Sequence, residues 1–182
     1  MDNEQILALV EKLTDKAAKD AKALATKLAS GEIDKRTWKA EMLILLTSAH
    51  IIAASVGRGG VEQVTVSGWQ KVKDRIDWQG GYLERFGRVI VAGVVIAAVI
   101  ARRAASYANS PFVSYQEGKR DAVVDQGKEG IMAMLVQNSR EGCDECTADA
   151  AEGWMPVDDM APIGSRECQD YCKCDIEFSG VD

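Results

Sequence analysis

Cys143-Asp144-Glu145-Cys146 and, after 21 intervening residues, Cys168-Gln169-Asp170-Tyr171-Cys172-Lys173-Cys174 contain all five cysteines of this 182-residue chain. The 142 residues before them contain none. A C-x-x-C pair and a C-x-x-x-C-x-C cluster, joined by a loop of that length, can gather four thiolates around a tetrahedral ion such as zinc. Five thiols then compete for four places. Cys143, Cys146, Cys172 and Cys174 are the preferred set, with Cys168 as the alternate ligand because a C-x-C pair is a tight bite on one metal. Disulfides and free buried thiols are the other readings of the same spacing. A site closed by four thiolates has no open position for water, so its role is structural.

The cysteines lie in an acidic region. Residues 1–128 carry 19 Lys+Arg against 15 Asp+Glu, a net of +4, whereas residues 129–182 carry 3 against 13, a net of −10. A module of that charge is a poor phosphate binder, which argues against a nucleic-acid-gripping zinc finger and for protein contacts or self-stabilisation. The acidic start Met1-Asp-Asn-Glu-Gln5 lacks the basic residues and apolar run of a secretory signal. Cytosolic synthesis follows as an expectation, and reduced thiols with it.

Before the cysteines the text is helical. Only three prolines occur. Ile6, Leu9, Val10, Leu13, Ala17, Ala21, Leu24 and Leu28 recur at helical spacing, predicting a helix over about 3–29 that Asp2 or Asn3 caps and Gly31 ends. This thin stripe suits either a protruding arm or a lid on the body. A second helix is expected from an Asp34 cap to Gly57-Arg-Gly-Gly60, with Met42–Leu46 buried. Gly57–Gly60 follows a helix and lacks the P-loop lysine, so it reads as a turn. A third stretch over about 64–76 is broken by Gly80-Gly81, and a fourth helix is expected over about 82–107. Within it Val89–Ala101 is an uncharged apolar run. Thirteen residues make about 20 Å of helix, short of a bilayer core of about 30 Å, so a buried core helix is the expectation. A fifth helix over about 114–126 precedes Ile131–Val136, a strand or a last half-helix, and Lys173–Phe178 reads as a closing strand.

Catalytic constellations are absent from this text. His50, the single histidine, has no cysteine partner nearby in sequence and reads as structural.

The string from Gly142 to Ile176 resembles the C-terminal module of bacteriophage minor head proteins, the head-morphogenesis family typified by the Mu-type minor head protein. Cys143, Cys146, Cys172, Lys173 and Cys174 match that module's C-x-x-C pair and closing Cys-Arg/Lys-Cys, and Pro162, Ile163 and Gly164 match its loop. Many members carry a histidine where this chain has Cys168. The resemblance implies a virion component near the portal, made in the host cytoplasm, that aids head assembly or packaging.

These readings combine into a mainly α chain. It has a helical body over 1–128, with 1–30 as an arm or lid, and an acidic, cysteine-stapled, loop-rich module over 129–182 that contains a short β-hairpin. The expected function is that of a non-enzymatic, zinc-stabilised virion structural protein. Its expected partners are portal, capsid or its own copies, with no specific nucleic-acid recognition and no membrane span. A cytosolic zinc-ribbon adaptor and a membrane-active protein using 89–101 are the alternatives.

Overall fold

A computed structural model describes residues 3–93, 96–127, 129–137, 142–169 and 172–180. Six α-helices and three short strands follow one another: α1 (Asn3–Ala29), α2 (Lys35–Arg58), α3 (Val66–Val91), α4 (Ala97–Ser106), α5 (Ser110–Val124), β1 (Met132–Val136), α6 (Asp144–Glu152), β2 (Met155–Pro156) and β3 (Asp175–Ser179). The fold is mainly α, as the composition predicts.

α2 is the axis of the body. Asp34 caps it by accepting the Thr37 N–H at 2.7 Å, and Gly59 closes it in the left-handed region. Among the described helices it alone is long and apolar enough to cross a membrane. Here Trp38, Met42, Leu46, Ala49 and Ala53 are buried, while Ile44 in the expected buried centre is exposed. At one end Trp38 meets Phe86 edge-on, with centroids 6.0 Å apart. Together with Leu83, Ile90, Ile100 and Ala104 they form the core between α2, α3 and α4.

α1 spans the residues its periodicity predicts and lies along its own body. Val10 packs with Ala53 and Tyr115, Ala17 with Ala49 and Ala108, and Ala21, Ala25 and Leu28 with the Trp38 core. Small alanine side chains let the backbones approach, so the thin stripe is a packing surface within this chain. The Asp2 cap lies outside the described residues.

Two expectations fail between residues 66 and 107. Gly80-Gly81 does not break the chain, because both glycines lie inside the continuous helix α3. The break comes later, where Gly93 takes φ +66 and the chain turns into α4. The apolar run Val89–Ala101 is therefore divided between two helices and the corner joining them. Val91 and Ile96 are 62% and 71% exposed, which overturns the buried core helix. Val94 and Val95 lie outside the described residues.

α5 packs on α2 at two facing glycines. A Cβ on Gly57 would stand 2.1 Å from the Tyr115 carbonyl oxygen, and one on Gly118 would stand 2.6 Å from the Ala54 carbonyl oxygen. Gly57 is thus a helix-packing residue within the stretch expected to turn. Beside this contact the fully buried His50 bridges α2 to α5. Ser110 Oγ donates to the Tyr107 carbonyl at 2.8 Å, so its lone pairs accept from Gln79 Nε2 and from His50 Nε2–H at 3.0 Å. Ser114 Oγ then donates to His50 Nδ1 at 2.8 Å, which fixes the neutral tautomer. Burial first, then the nearby Arg75 charge, lowers the ring's pKa from 6.5 to about 3.

The sheet order is β2-β1-β3, both pairs antiparallel. β1 alternates so that Ala133 and Leu135 are buried, and Leu135 sits opposite Ile176 of β3. The expected hairpin is not formed: α6 separates β1 from β2 and the cysteine-bearing loop separates β2 from β3, so distant segments assemble a three-stranded sheet in its place. Ile131, Ala133, Leu135 and Ile176 share a core with Val113 and Val123 of α5. α5 therefore has one face against the body and another against the cysteine module.

Two measurements test this packing. Gly57→Ala should destabilise the fold by about 2–4 kcal/mol through overpacking. Gly81→Ala, on α3 with open space around it, should stabilise it by about 0.5–1 kcal/mol. Urea melts showing the same sign for both would refute the glycine contact. For His50, the unfolded chain takes up a proton below pH 6.5 while the folded chain does not until about pH 3. Stability is therefore full above pH 6.5 and falls on acidification, at about 1.4 kcal/mol per pH unit for one proton. The difference between wild type and His50→Gln, followed from pH 7 to 5, should show that slope; parallel profiles would place the ring in solvent.

Candidate metal centre

Three segments deliver the five thiols. Cys143 is the N-cap of α6, and its Sγ accepts the Cys146 N–H at 3.4 Å. Asp144 and Glu145 occupy the first turn, where the helix dipole favours acids. Cys146 then sits one turn into α6 with its sulfur buried. Cys168 comes from the loop before β3, and Cys172 and Cys174 from the approach to that strand. A helix across residues 144–152 was not expected from the sequence. Its cap is a cysteine, a residue type that carries no capping signal.

The thiols form two triads that share Cys146. Cys143, Cys146 and Cys168 form one and Cys146, Cys172 and Cys174 the other, with the sulfurs in each triad within 4.8 Å of one another. Cys146 Sγ lies 3.5 Å from Cys168 Sγ and 3.9 Å from Cys172 Sγ. A zinc tetrahedron with bonds of about 2.3 Å has sulfur–sulfur edges of about 3.8 Å. A disulfide would need about 2.05 Å, and all five cysteines are free thiols. The cluster can therefore hold a metal ion. The structure does not gather the preferred set Cys143, Cys146, Cys172 and Cys174 into one group: Cys143 lies in one triad and Cys172 and Cys174 in the other, with Cys146 common to both, and the alternate Cys168 lies 3.5 Å from Cys146.

The electrostatics have the same cause. Hydrogen bonding from Cys174 is the main influence that pulls Cys172 down to about 5, against the cost of burial. Burial pushes Cys146 up to about 11 and drives Cys168 upward as well. Cys174 is raised chiefly by its hydrogen bond to Cys172 and then by burial. Burial opposes ionisation of Cys143, but the Cys146 backbone N–H and the neighbouring thiols bring it below its ordinary value. Packed thiols share protons because neighbouring thiolates repel. A divalent cation replaces those protons and removes the repulsion, so binding releases protons.

Around the sulfurs the loop is held by Arg166, a buried residue that sequence reasoning did not single out. Its Nε donates to Asp149 Oδ2 at 2.5 Å, and its other nitrogens donate to the Pro162 carbonyl at 3.3 Å and the Ala161 carbonyl at 3.0 Å. The arginine ties loop 160–166 to α6, and Ile163 of that loop is buried in the module's core. Beyond Cys174, Asp175 accepts from Gln116 Nε2 at 2.8 Å and Lys119 Nζ at 3.0 Å, fastening β3 to α5. The fully buried His50 belongs to the α2–α5 contact and not to the thiol cluster.

Cys146→Ser should abolish stoichiometric metal binding, since both triads lose their shared sulfur. Cys168→Ser should retain it if the preferred four are the ligands. Metal analysis of the two variants distinguishes them, and full metal content in Cys146→Ser would remove the shared-sulfur geometry. Arg166→Ala should cost about 3 kcal/mol, because it strips partners from buried carbonyls and from Asp149; limited proteolysis should then cut first within 160–166.

In comparisons with protein-family models, curated proteins and solved structures, no match to this chain was found.

Proposed function

We propose that the protein is a non-catalytic structural component of a phage virion, of minor-head or portal-proximal type, whose C-terminal module is stapled by one zinc ion. The observation that carries this reading is the thiol cluster, with sulfur spacings of 3.5 and 3.9 Å around Cys146. These fit the edges of a thiolate-only tetrahedron. Soft thiolates favour zinc among the abundant divalent ions, and a closed thiolate shell offers no position for substrate or water. The resemblance of the Gly142–Ile176 string to minor head proteins supplies the virion context. An acidic module seated on a helical platform is suited to protein contacts.

The reading makes a direct prediction. Particles of the phage that encodes the chain should contain it at constant stoichiometry, measured by quantitative mass spectrometry of gradient-purified virions and linked to portal or capsid proteins on cross-linking. Its absence from such particles would overturn the virion role and leave the zinc staple standing.

A further inference from the structure

Two exposed patches of opposite character lie far apart on the chain. The first is the corner between α3 and α4. Val91 and Ile96 are 62% and 71% exposed there, and exposed Ala97 and Ala98 extend the apolar surface. Arg88, one turn before Val91, and Arg102 and Arg103 on α4 are its basic neighbours in sequence, with the Arg103 guanidinium over the Phe86 ring at 4.8 Å. The second lies beside the edge strand β2. Trp154 is 44% exposed, and exposed Glu152, Asp158 and Asp159 surround it in sequence. None of these six charged residues makes an ion pair among the described residues. Each patch therefore has an apolar centre whose exposed, unpaired charged neighbours in sequence are of one sign, and the signs are opposite.

The patches cannot meet within one chain. The first lies at the start of α2, where Lys35 pairs with Glu84 of α3 at 2.7 Å. The second lies near the end of α2, where Gly57 meets α5 and Arg120 of α5 reaches the Val157 carbonyl at 3.1 Å. The 24 residues of α2 put about 36 Å between its ends.

We infer that the occupant of the corner is a second copy of this chain. The α3–α4 corner of one copy seats against the Trp154 patch of the next, with Val91 and Ile96 on the indole and the arginines facing Glu152, Asp158 and Asp159. Such a contact joins two different surfaces, so each copy keeps one free patch and the pairing propagates as a ring or an open row. An anionic lipid surface would also suit an apolar corner edged with arginine. It would leave the Trp154 patch without a role, and the net charges of +4 for residues 1–128 and −10 for residues 129–182 favour contact between unlike halves. This extends the assembly reading but rests on the two surfaces alone. Chains that pair in solution yet are missing from particles would keep the contact and lose the virion role.

The test uses two full-length variants. One carries Val91→Asp with Ile96→Asp; the second change places a good capping residue at the N-cap of α4. The other carries Trp154→Ala with Asp158→Lys. Sedimentation velocity should show wild-type mass rising with concentration up to about 1 mM, a range that detects weak pairing, and falling again in high salt. Each variant alone should stay monomeric. Their equimolar mixture should stop at a one-to-one dimer, because each supplies the patch the other lacks. A monomeric wild type, or a variant that assembles like the parent, would overturn the inference. So would a mixture that fails to pair. Flotation of wild type with phosphatidylserine vesicles, lost in the corner variant and accompanied by no self-association, would put lipid in place of the second copy.

Discussion

The sulfur of Cys146 is the point on which the C-terminal half of the structure depends. It belongs to both thiol triads, and so joins α6 to the segment before β3 by way of Cys168, Cys172 and Cys174. About fifty loop-rich residues bury too little apolar surface to hold one conformation alone. Its apolar residues, Ile131, Ala133, Leu135, Val157, Met160, Ile163 and Ile176, share one core with Cys146, Cys172 and Cys174, so the thiols are part of that core. A metal held by thiolates adds binding free energy directly to folding free energy, and the sulfur positions match that role. Arg166 performs a related task through hydrogen bonds and an ion pair. It links the adjacent Ala161 and Pro162 carbonyls of the loop to the Asp149 carboxylate of α6.

That module has no independent platform; it stands on α5. Val113 and Val123 complete its core, and Lys119 reaches both Asp175 and the Ile176 carbonyl. The opposite side of α5 is locked to α2 by the Gly57–Gly118 approach and by the serines that flank His50. One fifteen-residue helix thus transmits constraint between the cysteine module and a helical body. Its low amphipathicity follows from this position: Val113, Tyr115, Gln116 and Gly118 are all buried, so no side of the helix is left wholly polar. The polar Gln116 is tolerated because Asp175 accepts its amide at 2.8 Å.

The sequence is most legible where local physics acts alone. α1 follows from a 3.6-residue stripe, and α2 from an Asp34 cap and a Gly59 stop. The strand at Met132–Val136 was ambiguous with helix until β3 supplied a partner. The sequence reading failed where a tertiary contact overrode a local rule. Gly80-Gly81 is permitted inside α3 because the helix is held by Leu83 and Phe86 one turn further on, against Trp38. The run Val89–Ala101 looked like a core because hydropathy records composition and not direction. A single left-handed glycine, Gly93, interrupts it, and Val91 and Ile96 are exposed. α6 was hidden because its cap is a cysteine. The cysteine cluster itself was legible from spacing, since thiols gathered in reduced form at those intervals serve few other purposes. The choice among five ligands was not, because it depends on sulfur positions set by Arg166 and β3.

The account's central claim is that these sulfurs enclose one zinc ion. Zinc K-edge X-ray absorption on protein purified without chelator tests it most directly. The account predicts a first shell of four sulfurs at about 2.3 Å with no nitrogen or oxygen ligand. A shell containing light-atom ligands, or a folded C-terminal module in protein that carries no bound metal, would contradict it.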